Sequence, residues 1–137
     1  MSDKMPETQR EFIAQNPSQG LFKRVLCVCS GGILRSPTAA FVLSQPPYNF
    51  NTRSAGTKPY ALIQVDSVLL AWADEVVCME HHHEAAIQKI GIEGQIHYPK
   101  DSMPPIKVLQ IPDIYNFREP ALITRIQRSY DKETQNA

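Results

Sequence analysis

The sequence predicts a single α/β domain, a four-stranded parallel sheet with helices on both faces. Three observations carry this. The apolar run Val25–Val28 contains β-branched residues and follows the basic pair Lys23 and Arg24, the pattern of an interior strand in a parallel sheet. Strand-type and helix-type patterns then alternate to the end of the chain, which implies right-handed βαβ units. Finally, 137 residues suffice for one layered core and not for two.

Taken in order, residues 1–20 are polar, hold Pro6 and Pro17, and have one short apolar patch at Phe12, Ile13 and Ala14. They read as a flexible N-terminal extension or a short surface helix, with the domain proper at 21–137. A helix is expected to start at Ser36 or Pro37, residues suited to an N-cap and a first helical position, and to end before Pro46 and Pro47. Asn49–Ser54 reads as a second strand and Ala55–Tyr60 as a turn-rich loop. Apolar residues at 63, 65, 68, 69 and 72 predict a helix over 63–72, and Glu75–Met79 a third strand. A helix from Glu80 is expected to stop at Gly91, before a long loop over 91–105 with three prolines. Lys107–Ile111 reads as the fourth strand, 112–118 as a loop and Pro120–Tyr130 as the closing helix, followed by a fraying tail.

The segment Cys29-Ser30-Gly31-Gly32-Ile33-Leu34-Arg35-Ser36-Pro37 is where chemistry concentrates. Gly31 and Gly32 permit a tight turn between strand and helix. Successive backbone N–H groups in such a turn point inward, and a helix N-terminus adds partial positive charge, so the loop Ser30–Ser36 forms an anion cradle. The planar fork of Arg35 suits two oxygens of a phosphate. Cys29 stands at the mouth of the cradle, where the same donors favour its thiolate. A cysteine and an arginine six residues apart are a weak signal alone, and strand cysteines are commonly buried and inert. The preceding strand, the paired glycines and the Ser-Pro helix start supply the missing context. A nucleotide-binding loop is excluded, since no Lys-Ser or Lys-Thr follows the glycines.

These residues resemble the phosphate-binding loop of the low-molecular-weight protein tyrosine phosphatases, usually C-x-G-N-x-C-R-S-P, and are most similar to a short bacterial and phage branch that lacks the second cysteine. Gly32 stands where the family has Asn, and Leu34 where many members have a cysteine that protects the nucleophile as a disulfide. The resemblance spans about residues 22–130 and implies a flavodoxin-like fold and a metal-independent, cofactor-free phosphomonoesterase working through a phosphocysteine on Cys29. The loop residues Ser30, Gly31, Gly32, Ile33, Leu34 and Ser36 would hold the phosphate with Arg35, and Ser36 would stabilise the free thiolate.

Gln110-Ile111-Pro112-Asp113-Ile114-Tyr115 is similar to the family's general-acid loop, with Asp113 matching the acid, Tyr115 the aromatic, and Ile114 in place of the usual Pro. An Asp in this setting also serves as a turn residue or helix cap. Ligands of open parallel sheets bind beyond the carboxyl ends of the strands, so Cys29 and Asp113 are expected over one crevice. Tyr60 falls where family members place an aromatic wall of the cleft, and a half-exposed loop tyrosine is the plainer alternative.

The implied partner is a phosphotyrosine-containing protein or small aryl phosphate, with phosphate or a similar oxyanion in the loop. Lys plus Arg and Asp plus Glu both number 14, which gives no overall commitment to nucleic acid or membrane. The absence of a long apolar run, a polar start, and three cysteines that form neither C-x-x-C nor a zinc framework place the chain in the cytoplasm as an expectation. His81, His82 and His83 point in different directions around a helix and read as a solvated helix start, with no metal site. Two other functions remain open: a phosphate-binding module without turnover, to which Gly32 and Ile114 point, and arsenate reduction, which needs a cysteine relay.

Overall fold

The computed structural model describes residues 13–14, 22–32, 34–93 and 103–135. Its elements are β1 (Ile13–Ala14), β2 (Arg24–Cys29), α1 (Arg35–Ser44), β3 (Asn51–Gly56), α2 (Ser67–Trp72), β4 (Glu75–Cys78), α3 (His81–Glu93), β5 (Ile106–Val108) and α4 (Pro120–Gln135). The sheet order is β1-β3-β2-β4-β5. β3, β2, β4 and β5 run parallel, and β1 adds antiparallel to β3 with Ile13 opposite Arg53. The predicted four-stranded parallel sheet is therefore present, with a two-residue edge strand contributed from the stretch read as an extension.

Side chains alternate across a strand, and this divides the core in two. Val25, Cys27 and Cys29 of β2 join Val77 and Met79 in a layer with Ala39 and Leu43 of α1 and Leu122, Ile126 and Tyr130 of α4. Leu26 and Val28 join Val76 and Cys78 in the opposite layer with Leu70 of α2 and Ile87 of α3. Every residue from Val25 to Cys29 is buried, as a central strand covered on both faces requires.

Several boundaries differ from the sequence reading. α2 starts at Ser67 because the Asp66 carboxylate accepts the Leu69 N–H at 2.8 Å and caps it there. The preceding residues run instead beside β3, where Ile63 O accepts the Gly56 N–H and Gly56 O accepts the Val65 N–H. α3 continues through Gly91 to Glu93, and α4 extends past Tyr130 to Gln135. β5 ends at Val108, and Leu109–Ile111 continue as irregular backbone still tied to β4 through Leu109 N–H to Cys78 O and Ile111 N–H to Met79 O. Most of the predicted 91–105 loop lies outside the described residues.

At the amino ends of the strands Glu75 is buried and fully paired. Lys23 and Lys107 reach its Oε2 at 3.0 and 2.8 Å, and the Tyr130 hydroxyl donates to its Oε1 at 2.9 Å. A buried carboxylate needs such partners, and this cluster fastens α4 to the sheet at the end opposite Cys29.

Candidate active site

The carboxyl ends of β2, β4 and β5 meet at one edge of the sheet, and each delivers a polar group there. β2 ends in Cys29, whose side chain is turned into the loop that follows. The Gly32 N–H donates to Cys29 Sγ at 3.2 Å, and Ser36 Oγ lies 3.2 Å from the same sulfur. Ser36 Oγ also lies 3.3 Å from Ala55 O of β3, which fixes the hydroxyl between strand and sulfur. This spends Ser36 on the sulfur and not on the helix end. α1 accordingly begins one residue earlier than predicted, at Arg35, with Leu34 in the N-cap position and no side-chain cap. A helix N-terminus without a side-chain cap or an acidic residue in its first turn is suited to an anion.

Gly32 has φ +68°, the left-handed conformation that glycine adopts at no steric cost. A Cβ built on Gly32 would lie 2.9 Å from Gly56 N, so the loop also lies close against the end of β3. Gly56 is tighter still, since a Cβ there would meet Ser30 O at 2.5 Å. Thr57 N–H to Cys29 O and Lys58 N–H to Ser30 O, both 3.0 Å, continue this attachment. Ile33, named with the loop, lies outside the described residues.

Arg35 is buried at 3% exposure, and its guanidinium is held by one corner. Nη1 donates to Ile111 O at 2.9 Å and to Glu80 Oε1 in a short contact, while Nε faces Asp113 Oδ1 at 3.7 Å. Hydrogen bonding to Arg35 holds the Glu80 carboxyl below the ordinary range, so Glu80 is an anion at neutral pH. Asp113 is 67% exposed and Ile114 exposed beside it, on the irregular chain after β5. Tyr115 is half-buried and packs against the core layer that contains Leu109 and Ile111. Tyr60 is 70% exposed on the loop after β3, with Leu62 exposed nearby in sequence.

Glu80 and His83 were absent from the sequence-derived site. The triple histidine is not uniformly a solvated helix start: His81 and His82 are exposed, but His83 is fully buried. Its Nδ1 accepts the Glu80 N–H at 3.0 Å and its Nε2 lies 3.0 Å from Ser30 Oγ. The available signal was position, since a polar residue just beyond a central strand adjoins the neighbouring strand's end. Glu80, His82 and His83 also bring one potential metal-ligating atom each within 4.8 Å of one another. Both His83 nitrogens are hydrogen-bonded and Glu80 pairs with Arg35, so a cation there would have to break bonds that organise the loop.

Burial, then the charges of His82 and Arg35, push the His83 ring down to about 4 from its ordinary 6.5. An unfolded chain therefore binds a proton at this residue between those values while the folded protein does not, and stability rises with pH across that window. The urea midpoint is expected to fall as pH drops from about 6.5 toward 4. The His83 share reaches up to ~3 kcal/mol, and His83→Asn is expected to flatten this part of the curve.

No family profile matches the chain. No curated protein matches it. Among solved structures, the chain is similar to the tyrosine phosphatase Wzb from Escherichia coli K30 in complex with phosphate, with TM-score 0.61, 19% identity, and coverage of 85% of this chain and 99% of that one. Vibrio vulnificus Wzb in complex with benzylphosphonate gives TM-score 0.57, 23% identity, and 84% and 96% coverage. The Erwinia amylovora tyrosine phosphatase AmsI gives TM-score 0.62, 18% identity, and 86% and 95% coverage. At these identities the likeness establishes a shared fold over nearly the whole length of those proteins.

Proposed function

We propose that this chain is a low-molecular-weight protein tyrosine phosphatase acting on an aryl phosphate monoester, phosphotyrosine in a protein or a small analogue. The observation that carries it is the sulfur of Cys29 turned into the loop that follows it, 3.2 Å from both Gly32 N and Ser36 Oγ, with buried Arg35 at the loop's far end and Asp113 3.7 Å from the Arg35 Nε. The complexes of the two Wzb proteins with phosphate and with benzylphosphonate support an oxyanion or aryl phosphate analogue as the ligand.

In this reading the Cys29 thiolate attacks phosphorus in line, forming the S–P bond as the P–O bond to the phenol breaks. Loop N–H groups and the Arg35 fork hold the three equatorial oxygens, prearranged for the charge that develops there. The Asp113 carboxyl gives its proton to the leaving phenolic oxygen, then takes one from the water that cleaves the phosphocysteine. Ser36 supports the thiolate before attack and after release. Arsenate reduction finds no relay in this architecture: Cys27 and Cys78 are free, buried in central strands, and burial raises both thiols above their ordinary range. Among the described residues no helix is long and apolar enough to cross a membrane.

The test is hydrolysis of 4-nitrophenyl phosphate and of a phosphotyrosine peptide by the purified protein in excess chelator. Turnover of both, unchanged by the chelator, is expected. Tight phosphate or vanadate binding without hydrolysis of either ester would favour the binding-module reading, and loss of activity on chelation a metal-dependent phosphatase.

A further inference from the structure

We infer that His83 is a positioning residue that locks the phosphate loop to the backbone of Glu80, the residue whose carboxylate pairs with Arg35, an inference that rests on the phosphatase reading above. His83 is fully buried between two exposed histidines and a helix that continues beyond it. Its Nδ1 accepts a hydrogen bond from the Glu80 backbone N–H, so that nitrogen carries no proton. The single proton of the neutral ring is then on Nε2, which donates to Ser30 Oγ at 3.0 Å.

Those two partners belong to the two halves of the site. Ser30 directly follows the nucleophile Cys29, and Glu80 supplies the carboxylate that takes Arg35 Nη1. β2 and β4 are hydrogen-bonded neighbours with Val28 opposite Cys78, so one rigid imidazole spans the gap where the two strands end. A buried ring with both nitrogens engaged has one orientation, and it transmits that constraint to the loop on one side and to Glu80 on the other. A space-filling side chain would satisfy the packing but would leave the Ser30 hydroxyl and the Glu80 amide without this partner. Protonation of Nδ1 would set two donors against each other at the Glu80 amide. The charges of Arg35 and Lys58, and of His82 when it carries a proton, oppose that protonation, and the charge of Glu80 favours it.

The first arm of the test reads the wild-type protein alone. Long-range 1H–15N correlation of the histidine rings is expected to show His83 as the Nε2–H tautomer at neutral pH, and an Nδ1–H tautomer would overturn the assignment. The second arm is a double-mutant cycle. Ser30→Ala removes the hydroxyl, while His83→Asn keeps an acceptor near the Glu80 amide and lacks the reach to Ser30. Each is expected to lower kcat for 4-nitrophenyl phosphate and the rate of Cys29 alkylation by iodoacetamide by about 2- to 10-fold, the worth of one hydrogen bond. The double variant is expected to be no slower than the worse single one, since both remove the same bond. Losses that multiply, or single variants with wild-type alkylation and kcat, would overturn the inference. His83→Gln, which regains the reach to Ser30, is expected to recover part of the loss, whereas a merely structural role predicts no recovery. Alkylation and tautomer do not depend on turnover. A wild-type protein without esterase activity therefore defeats the phosphatase reading, while these two arms still judge His83.

Discussion

Cys29→Ser is expected to lower turnover of 4-nitrophenyl phosphate on the order of 10,000- to 1,000,000-fold, the loss typical of removing a nucleophile. The fold should survive the change. Cys29 is buried at 3% exposure, and the smaller oxygen retains hydrogen-bonding partners in Gly32 N–H and the Ser36 hydroxyl. In the proposed mechanism backbone N–H groups and Arg35 hold the phosphate, and the substitution removes none of them. Vanadate or phosphate should still bind, and thermal melting should stay within a few degrees of wild type. A serine hydroxyl at neutral pH is almost wholly protonated and has no general base beside it among the described residues, so attack on phosphorus stops. A Cys29→Ser protein that hydrolyses the ester at a tenth of the wild-type rate would show that the sulfur is not the nucleophile. Activation of water by another group would then have to be sought.

How far the site was readable depends on where each residue's partners lie. Cys29, Gly32 and Ser36 interact within one strand-loop-helix unit, so their spacing along the chain already determines their meeting. Asp113 was readable only through the fold rule that strand ends share a crevice, and its 3.7 Å approach to Arg35 Nε agrees with that rule. Glu80 and His83 gave no such signal. Their importance comes from Arg35 and Ser30, which are 45 and 53 residues away in sequence, and burial of one histidine among three depends on the register of β4 beside β2. The start of α2 failed for a different reason. The apolar spacing of Ile63, Val65 and Val68 fits a helix, but Asp66 offers a cap and Gly56 offers strand-like bonds to the residues before it, and these local bonds outweigh periodicity. β1 depends on a pairing with β3 across almost 40 residues, a contact that two residues of sequence cannot announce.

Asp113→Asn is expected to lower kcat for a phosphotyrosine peptide by roughly 100- to 10,000-fold while changing KM little, because in the proposed mechanism its proton is needed only as the ester bond breaks. The loss should be smaller for 4-nitrophenyl phosphate, whose leaving group departs more easily without a proton. Two features of the structure single out Asp113 among the carboxylates near the loop. Glu119 Oε1 accepts the Asn116 N–H at 2.9 Å in the turn before α4, which occupies that carboxylate locally. Glu80 is held as an anion by Arg35 and has no proton to give at neutral pH. Asp113, by contrast, is largely exposed on irregular backbone after β5, 3.7 Å from the Arg35 Nε that a phosphate oxygen would also use. In the substrate-free protein this leaves the carboxylate beside the cation. A phosphate dianion entering the loop would exchange with the Asp113 carboxyl for that Nε edge. The same exchange predicts that Asp113→Asn binds vanadate at least as well as wild type, since a competing carboxylate has been removed. A variant that turns over phosphotyrosine peptide at the wild-type rate would reduce Asp113 to a turn residue. One that loses affinity for vanadate as well as kcat would mean that its negative charge shapes the loop and that the proton comes from elsewhere.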